Sequence, residues 1–192
     1  MMNQDSELYE AIVNTAVSLA SHSSWESVRL SEIAAQLNIS LADIYYCFAE
    51  KEQIGDAWFD RADQNMLKVM QSSVFATLNN QQKFHRLMMA WLEPLAINQK
   101  VTRQMILNKL EPGHLHIQIP ALLRISRTVQ WLREASDQHS TLPWRAVDET
   151  VLTGVYLITF CCWLTDNTSM YQRTRRCLER QLKLASGLGF LK

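Results

Sequence analysis

Glu111, His114 and His116 fall within six residues of one another and are of the types that hold a metal. A zinc site needs three or four protein ligands, and no further ligand cluster stands near these three, so the stretch reads as a loop carrying ordinary histidines. Arg124, Arg127 and Arg133 follow one helix near Trp131 and have the chemistry to meet an anion; a solvated basic face is the simpler reading. Arg173, Arg176, Arg180 and Lys183 repeat along another helix, read as its solvated side, with a membrane or partner surface as the alternative. There is no phosphate loop, no G-x-S-x-G turn and no paired helical histidine motif. The chain is therefore expected not to be an enzyme, and to need no cofactor and no metal.

The elements that carry these residues are helices, and the sharpest pattern runs from Leu30 to Lys51. Leu30, Ile33, Ala34 and Leu37 recur at helical spacing, and Leu41, Ile44, Tyr45 and Phe48 repeat it. Between them Asn38 suits the left-handed conformation that stops a helix, and Ser40 with Asp43 makes a capping box that starts the next. Two helices joined by so tight a turn form a helix-turn-helix. Ahead of it, Leu8, Ile12, Ala16, Leu19 and Ala20 mark a first helix; behind it, Ile54, Trp58, Ala62, Met66, Val69, Met70 and Val74 mark a long one that enters the second domain without a linker. The expected division is a helix-turn-helix domain over 1–52 and a helical domain over 53–192. A continuous helix between the two is suited to carry a ligand-driven tilt.

The second domain reads as helical throughout. Phe84, Leu87, Met88, Trp91 and Leu92 form a stripe ending near Glu93-Pro94, and Val101, Met105, Ile106 and Leu110 form one that stops before a loop from Pro112 to Pro120. Leu122, Ile125, Val129 and Leu132 give the next helix, and Leu142-Pro143 restarts the chain with proline in a first turn. From Val151 to Leu164 the chain is apolar nearly all round, which at fourteen residues is short of the roughly 20 a membrane span needs. Such a helix touches its own core and a second surface, and Gly154 lets a neighbouring backbone approach. We read it as half of a homodimer interface, with Val151, Val155, Ile158 and Cys162 on the contact stripe and Tyr171 and Leu178 joining from the last helix, which Thr168 or Ser169 caps. Met66, Met70, Met88, Trp91, Trp131, Phe160 and Trp163 have the aromatic and thioether character of a pocket for an apolar or amphipathic small molecule.

At 192 residues and 47% apolar, the chain has ample material for a core. Its N-terminus is polar and acidic with no apolar export segment, which points to the cytoplasm, and Cys47, Cys161, Cys162 and Cys177 lack framework spacing and read as reduced, mostly buried thiols. The net charge is zero, yet residues 1–60 hold ten acidic against two basic side chains. A nucleic-acid surface wants the opposite balance, unless those acids cap helices or turn away from it.

Ile12 through Trp25, Val28 to Ala34, Ile39-Ser40, Ile44 to Phe48 and Lys51-Glu52 resemble, over about fifty residues, the N-terminal domain of TetR-family transcriptional regulators. The chain departs from that family at Ser24, where a turn glycine is usual, at Arg29, where a threonine caps, and at Cys47, where a histidine meets a phosphate. The resemblance implies an all-α, TetR-like protein that binds a palindromic operator on double-stranded DNA as a homodimer, as a ligand-responsive repressor. It places Arg29, Ser31, Ser40, Tyr45 and Tyr46 against DNA and Lys51 against a phosphate. A second, looser resemblance runs through Val155-Tyr156, Trp163-Leu164, Asp166, Thr168-Ser169, Thr174, Leu178 and Arg180 to the TetR-fold lipid-binding proteins of ubiquinone biosynthesis. It implies the alternative of a lipid- or isoprenoid-binding accessory protein that meets a membrane surface and no specific DNA.

Overall fold

The structure, a computed structural model, describes residues 2–110, 115–137 and 144–190, with the side chains of 2–5, 115–117 and 144 outside that description. Glu111, Pro112, His114, the His116 side chain and the Leu142-Pro143 restart thus lie outside the described residues. Within them there are ten α-helices and no strand: α1 (Met2–His22), α2 (Leu30–Leu37), α3 (Leu41–Cys47), α4 (Lys51–Val69), α5 (Ser73–Ala76), α6 (Asn80–Ala96), α7 (Gln99–Lys109), α8 (Leu115–Ala135), α9 (Trp144–Leu164) and α10 (Gln172–Gly187). They form two compact units. Unit one comprises Met1–Arg61 with Leu95–Gln118, and unit two Ala62–Pro94 with Ile119–Lys192.

In unit one, Ile12, Val13, Ala16, Val17 and Ala20 of α1 are buried against Ile33 and Ala34 of α2 and Ile44 of α3. The small, buried Ala34 suits a close approach of neighbouring helices. Asn38 is left-handed (φ 55°, ψ 44°), and its amide and that of Ile39 bond back into α2. Phe48 then turns under α1, its ring centroid 4.4 Å from that of Tyr9. Although distant in sequence, α7 belongs to this unit: Val101 and Met105 are buried, Trp58 Nε1 donates to the Thr102 hydroxyl at 2.9 Å, and Trp25 N donates to Gln104 Oε1 at 2.9 Å.

Unit two is built on aromatic rings. Trp91 meets Tyr156 edge-on at 5.2 Å and Phe160 at 5.4 Å, Phe160 stacks on Trp163 at 5.8 Å, and Trp163 leans on Tyr171 at 6.0 Å. Asp63 organises the polar side of this core, accepting from Trp91 Nε1 at 2.7 Å and the Thr128 hydroxyl at 3.0 Å, with Arg124 at 3.4 Å. Burial, with the negative charge of Asp63 adding to it, pushes the Tyr156 phenol far above its ordinary range. Helices α9 and α10 pack along one another, Tyr156 and Phe160 being buried on the first and Leu178 and Leu182 on the second. By length and apolarity alone α9 could cross a membrane over Arg145–Leu164, but a core helix passes the same test, and Leu152, Val155, Tyr156, Phe160 and Trp163 are buried inside the unit.

Several boundaries differ from the sequence reading for visible reasons. Helix α6 runs through Pro94, because the Ala90 carbonyl that a proline leaves without an amide accepts from Asn65 Nδ2 at 2.8 Å. Helix α8 begins at Leu115 and carries Pro120 in its second turn, so residues 115–120, expected in a loop, are helical. The inner stripe of α4 ends at Met66; Val69 is half-buried, Met70 is exposed, and a turn over 70–72 separates α4 from α5, which carries the exposed Val74. None of the four cysteines is fully buried, and Cys161 is exposed.

Candidate nucleic-acid interface

The outer face of the helix-turn-helix is made by a helix that is held only on its inner side. In α3, Ile44 is buried and Phe48 follows it inward, whereas Leu41 and Tyr45, which spacing alone would place beside them, are exposed. Two turns of helix resting on α1 and α2 have room for one buried residue per turn. Tyr45 (71% exposed) and Tyr46 (79% exposed) therefore stand together on the open side, each with a phenol and a ring to offer. Arg29 and Ser31, at the start of α2, are exposed too.

The remaining positions are tied into the local fold. Ser40 accepts from the Asp43 amide at 3.1 Å, while Asp43 Oδ2 accepts from the Ser40 amide at 2.8 Å and its hydroxyl at 2.7 Å. Those hydrogen bonds hold the exposed Asp43 carboxyl below its ordinary pKa. Ser40 is thus a cap whose hydroxyl is already engaged. Glu32 Oε2 accepts from the Arg29 amide at 3.0 Å, so α2 is capped from its third residue although the Arg29 side chain has no oxygen to offer. Lys51 reaches back to the α1–α2 loop, donating to the Trp25 carbonyl at 2.6 Å and the Glu26 carbonyl at 3.0 Å, with its ammonium 5.2 Å above the Trp25 ring. Desolvation lowers its pKa, while Glu52, Glu26 and Glu32 act in the opposite sense. An ammonium has three donors, and two are used here. The same loop explains Ser24: Ser24 and Ser27 close the turn through their hydroxyls, and Ser24 is not among the left-handed residues, so no glycine is required.

Four acids of this half have specific partners. Glu10 pairs with Arg61, and Asp56 with Lys109 at 2.6 Å, in addition to the capping roles of Glu32 and Asp43. Unit one also gains Lys100, Arg103 and Lys109 from its second segment, so it carries six basic against eleven acidic residues, or minus five, rather than the minus eight of residues 1–60. No signal along the chain announces those long-range pairs.

Of the residues proposed for a ligand pocket, Met66, Met88, Trp91, Phe160 and Trp163 are buried in the core of unit two, while Met70 and Trp131 are exposed. Of those proposed for a dimer surface, Val155 and Leu178 point into the unit and have no surface to share. Val151, Cys162 and Tyr171 are half-buried, and Ile158 is 47% exposed. The outward stripe of α9 is Val147, Val151, Gly154, Ile158 and Cys161, one position off the expected register at Val155 and Cys162. A Cβ built on Gly154 would meet nothing within 4 Å. The segment behind the second resemblance has a structural account as well. Asp166 is buried and accepts four bonds: from the Thr168 amide (2.9 Å) and hydroxyl (2.6 Å), and from the Thr174 amide (2.8 Å) and hydroxyl (2.6 Å). Asp166, with the Thr168 hydroxyl accepting from the Arg173 amide at 3.2 Å, caps α10. It does so across two left-handed residues, Met170 (φ 55°) and Tyr171 (φ 53°), each costing about 1–2 kcal/mol. Among the described residues no group of three or more His, Cys, Asp or Glu side chains converges as a metal site would require.

No protein-family model matches the chain, and no curated protein does. Solved structures do match. A TetR transcriptional regulator from Nitrosomonas europaea ATCC 19718 is 48% identical, with a TM-score of 0.85 over 94% of this chain and 99% of that one. A TetR transcriptional regulator from Rhodococcus sp. RHA1 shares the fold at 17% identity and a TM-score of 0.67, covering 95% and 98%. A bacterial regulatory protein in the tetR family from Rhodococcus RHA1 shares it at 17% identity and 0.55, covering 96% and 98%. With a capped helix-turn-helix in unit one and a relative matched end to end at nearly half its residues, the chain belongs to the TetR family of transcriptional regulators.

Proposed function

We propose that the protein is a homodimeric repressor that binds a palindromic operator in the cytoplasm and has no catalytic activity. The observation that carries this reading is the pair Tyr45 and Tyr46, exposed side by side on a helix whose start is fixed by the Ser40–Asp43 box. In a two-fold dimer that helix enters the major groove at each of two half-sites, about one helical turn or a little more apart. Tyr45, Tyr46 and Ser31 meet bases or sugar-phosphate, Arg29 meets phosphate, and Ser40 holds the helix start against the backbone. Lys51 fastens the α1–α2 loop with two donors and offers its third to a phosphate.

The partner subunit docks on the outward stripe of α9, where Gly154 leaves room for a close helix crossing and Ile158 supplies exposed apolar surface. For ligand response the candidates are Met66, Met88, Trp91, Phe160 and Trp163, among which an apolar small molecule would open a site by displacing thioether and ring contacts; a saturable tryptophan-fluorescence response to an apolar compound is the check. The test of the whole reading is random-site selection on duplex DNA at low salt, with Ile158→Arg as companion. Enrichment of a palindrome by the native chain, and its loss together with dimerisation in Ile158→Arg, supports the reading. No enriched sequence, with flotation on anionic liposomes instead, overturns it in favour of lipid binding.

A further inference from the structure

The three arginines of α8 have different surroundings. Arg124 pairs with Asp63 at 3.4 Å and Arg127 is exposed, but Arg133 is only 8% exposed, and its Nε and Nη1 are buried without a hydrogen-bond partner. A guanidinium with two of its three nitrogens buried and unanswered is costly to keep, and marks a place where an acceptor arrives from outside the fold. Such a place is open beside it. A groove of about 290 Å³ in unit two is lined by Gln130, Trp131, Arg133, Glu134 and Arg145. Trp131 is 49% exposed in that groove, an unusual position for so large a ring.

We infer that this groove binds a small monocarboxylate with a flat aromatic body, the carboxylate received by Arg133 and the ring laid on Trp131. The planar guanidinium fork matches a carboxylate, and Arg145 at the exposed start of α9 adds a second positive charge. Glu134 is the opposing group. Among the lining residues one carboxylate facing two guanidiniums leaves a net single positive charge, with the Glu149 carboxylate engaged behind Gln130, which suits a monoanion and disfavours a phosphate dianion. Gln130 is held by Glu149, Nε2 donating to Oε1 at 3.3 Å, which keeps the α8–α9 side of the groove in place. The site lies outside the aromatic core of unit two, and it does not rest on the DNA reading because every readout below uses the protein alone.

The test is calorimetric and fluorescence titration with benzoate, against benzamide as its neutral isostere and inorganic phosphate as an anion without a ring. Benzoate is expected to bind saturably and benzamide roughly tenfold or more weakly, the loss of a charge-assisted bond. Trp131→Phe removes the fluorescence response to benzoate. Arg145→Gln, at an exposed position that does not endanger folding, weakens benzoate several-fold. Arg133→Met abolishes benzoate binding without lowering Tm, because the donors it removes have no partner in the unliganded fold. Equal affinity for benzoate and benzamide, phosphate binding as tightly as benzoate, or no saturable response to benzoate would each overturn the inference; so would a lowered Tm for Arg133→Met with benzoate binding unchanged in Arg145→Gln.

Discussion

In unit one, Glu10, Glu32, Asp43 and Asp56 each meet a donor on another helix or at a helix start. In unit two, Arg173, Arg176, Arg180 and Lys183 stand exposed along α10, and Arg133 is buried without an acceptor. The acidic unit has turned several of its charges into fasteners, whereas the basic unit, beside its Lys83–Asp137 and Arg124–Asp63 pairs, closes on aromatic rings and keeps a row of exposed cations along α10. A count of charges along the chain is therefore a poor guide to the field at the docking face. A carboxylate that caps a helix or faces a lysine repels phosphate far less than an isolated one.

Asp166 offers the strongest way to break this contrast, since it is an acid in unit two that behaves like those of unit one. Burial raises its carboxyl, but the donors of Thr168 and Thr174 outweigh that and hold it down to about 2. Its folded pKa lies below the ordinary value, so the stabilisation is complete above about pH 4 and is lost as pH falls towards 2, worth about 2 kcal/mol. Asp166→Ala is expected to cost about 3 kcal/mol in urea denaturation at pH 7, and to remove that acid-side loss. A smaller cost would mean that the left-handed Met170-Tyr171 turn holds by itself.

Next in size is Lys109→Met in unit one. Lys109 is mostly buried and Asp56 partly so, which puts the pair above an ordinary surface bridge, and the loss should be about 1–2 kcal/mol. No measurable change would show that α7 is held by Val101, Met105 and the Trp58–Thr102 bond alone. Tyr46→Ala sharpens the comparison on the DNA side. Its ring is 79% exposed, so stability should stay within about 0.5 kcal/mol of the native chain, while affinity for the selected operator falls by about 1–2 kcal/mol in a gel-shift titration. Lys51→Met is expected to lower Tm modestly by releasing the Trp25 and Glu26 carbonyls, and to flatten the salt slope of DNA binding by about one unit; a flattened slope with an unchanged Tm would make it a phosphate contact alone.

The smallest effect belongs to His85 in unit two, whose Nε2 is buried without a partner. Burial lowers its pKa, Arg175 and Arg86 lower it further, and Glu179 opposes them. The folded state therefore resists protonation, and the stability present above about pH 6.5 declines as pH drops through the folded value. His85→Gln should remove this gentle slope, seen as a smaller Tm difference between pH 7 and pH 5.

Much of unit one's helix-turn-helix was readable along the chain because its determinants are local. A left-handed Asn38, a Ser40 that caps three residues ahead and an Ile33–Ala34 face act within one or two turns of backbone, so their spacing is their geometry. The helix through the apolar run Val151 to Leu164 was legible for the same reason. Tertiary structure alone decided which apolar residues a short helix can bury, leaving Leu41 and Tyr45 outside, and which α9 positions face outward. It joined α7 to unit one through Lys109–Asp56 and Trp25–Gln104, repaired Pro94 with Asn65, and separated Arg133 from Arg124. Each of these depends on a partner about 25 to 80 residues away, or on the lack of one, and hydrophobic periodicity carries information only about the face of a helix, not about what meets it.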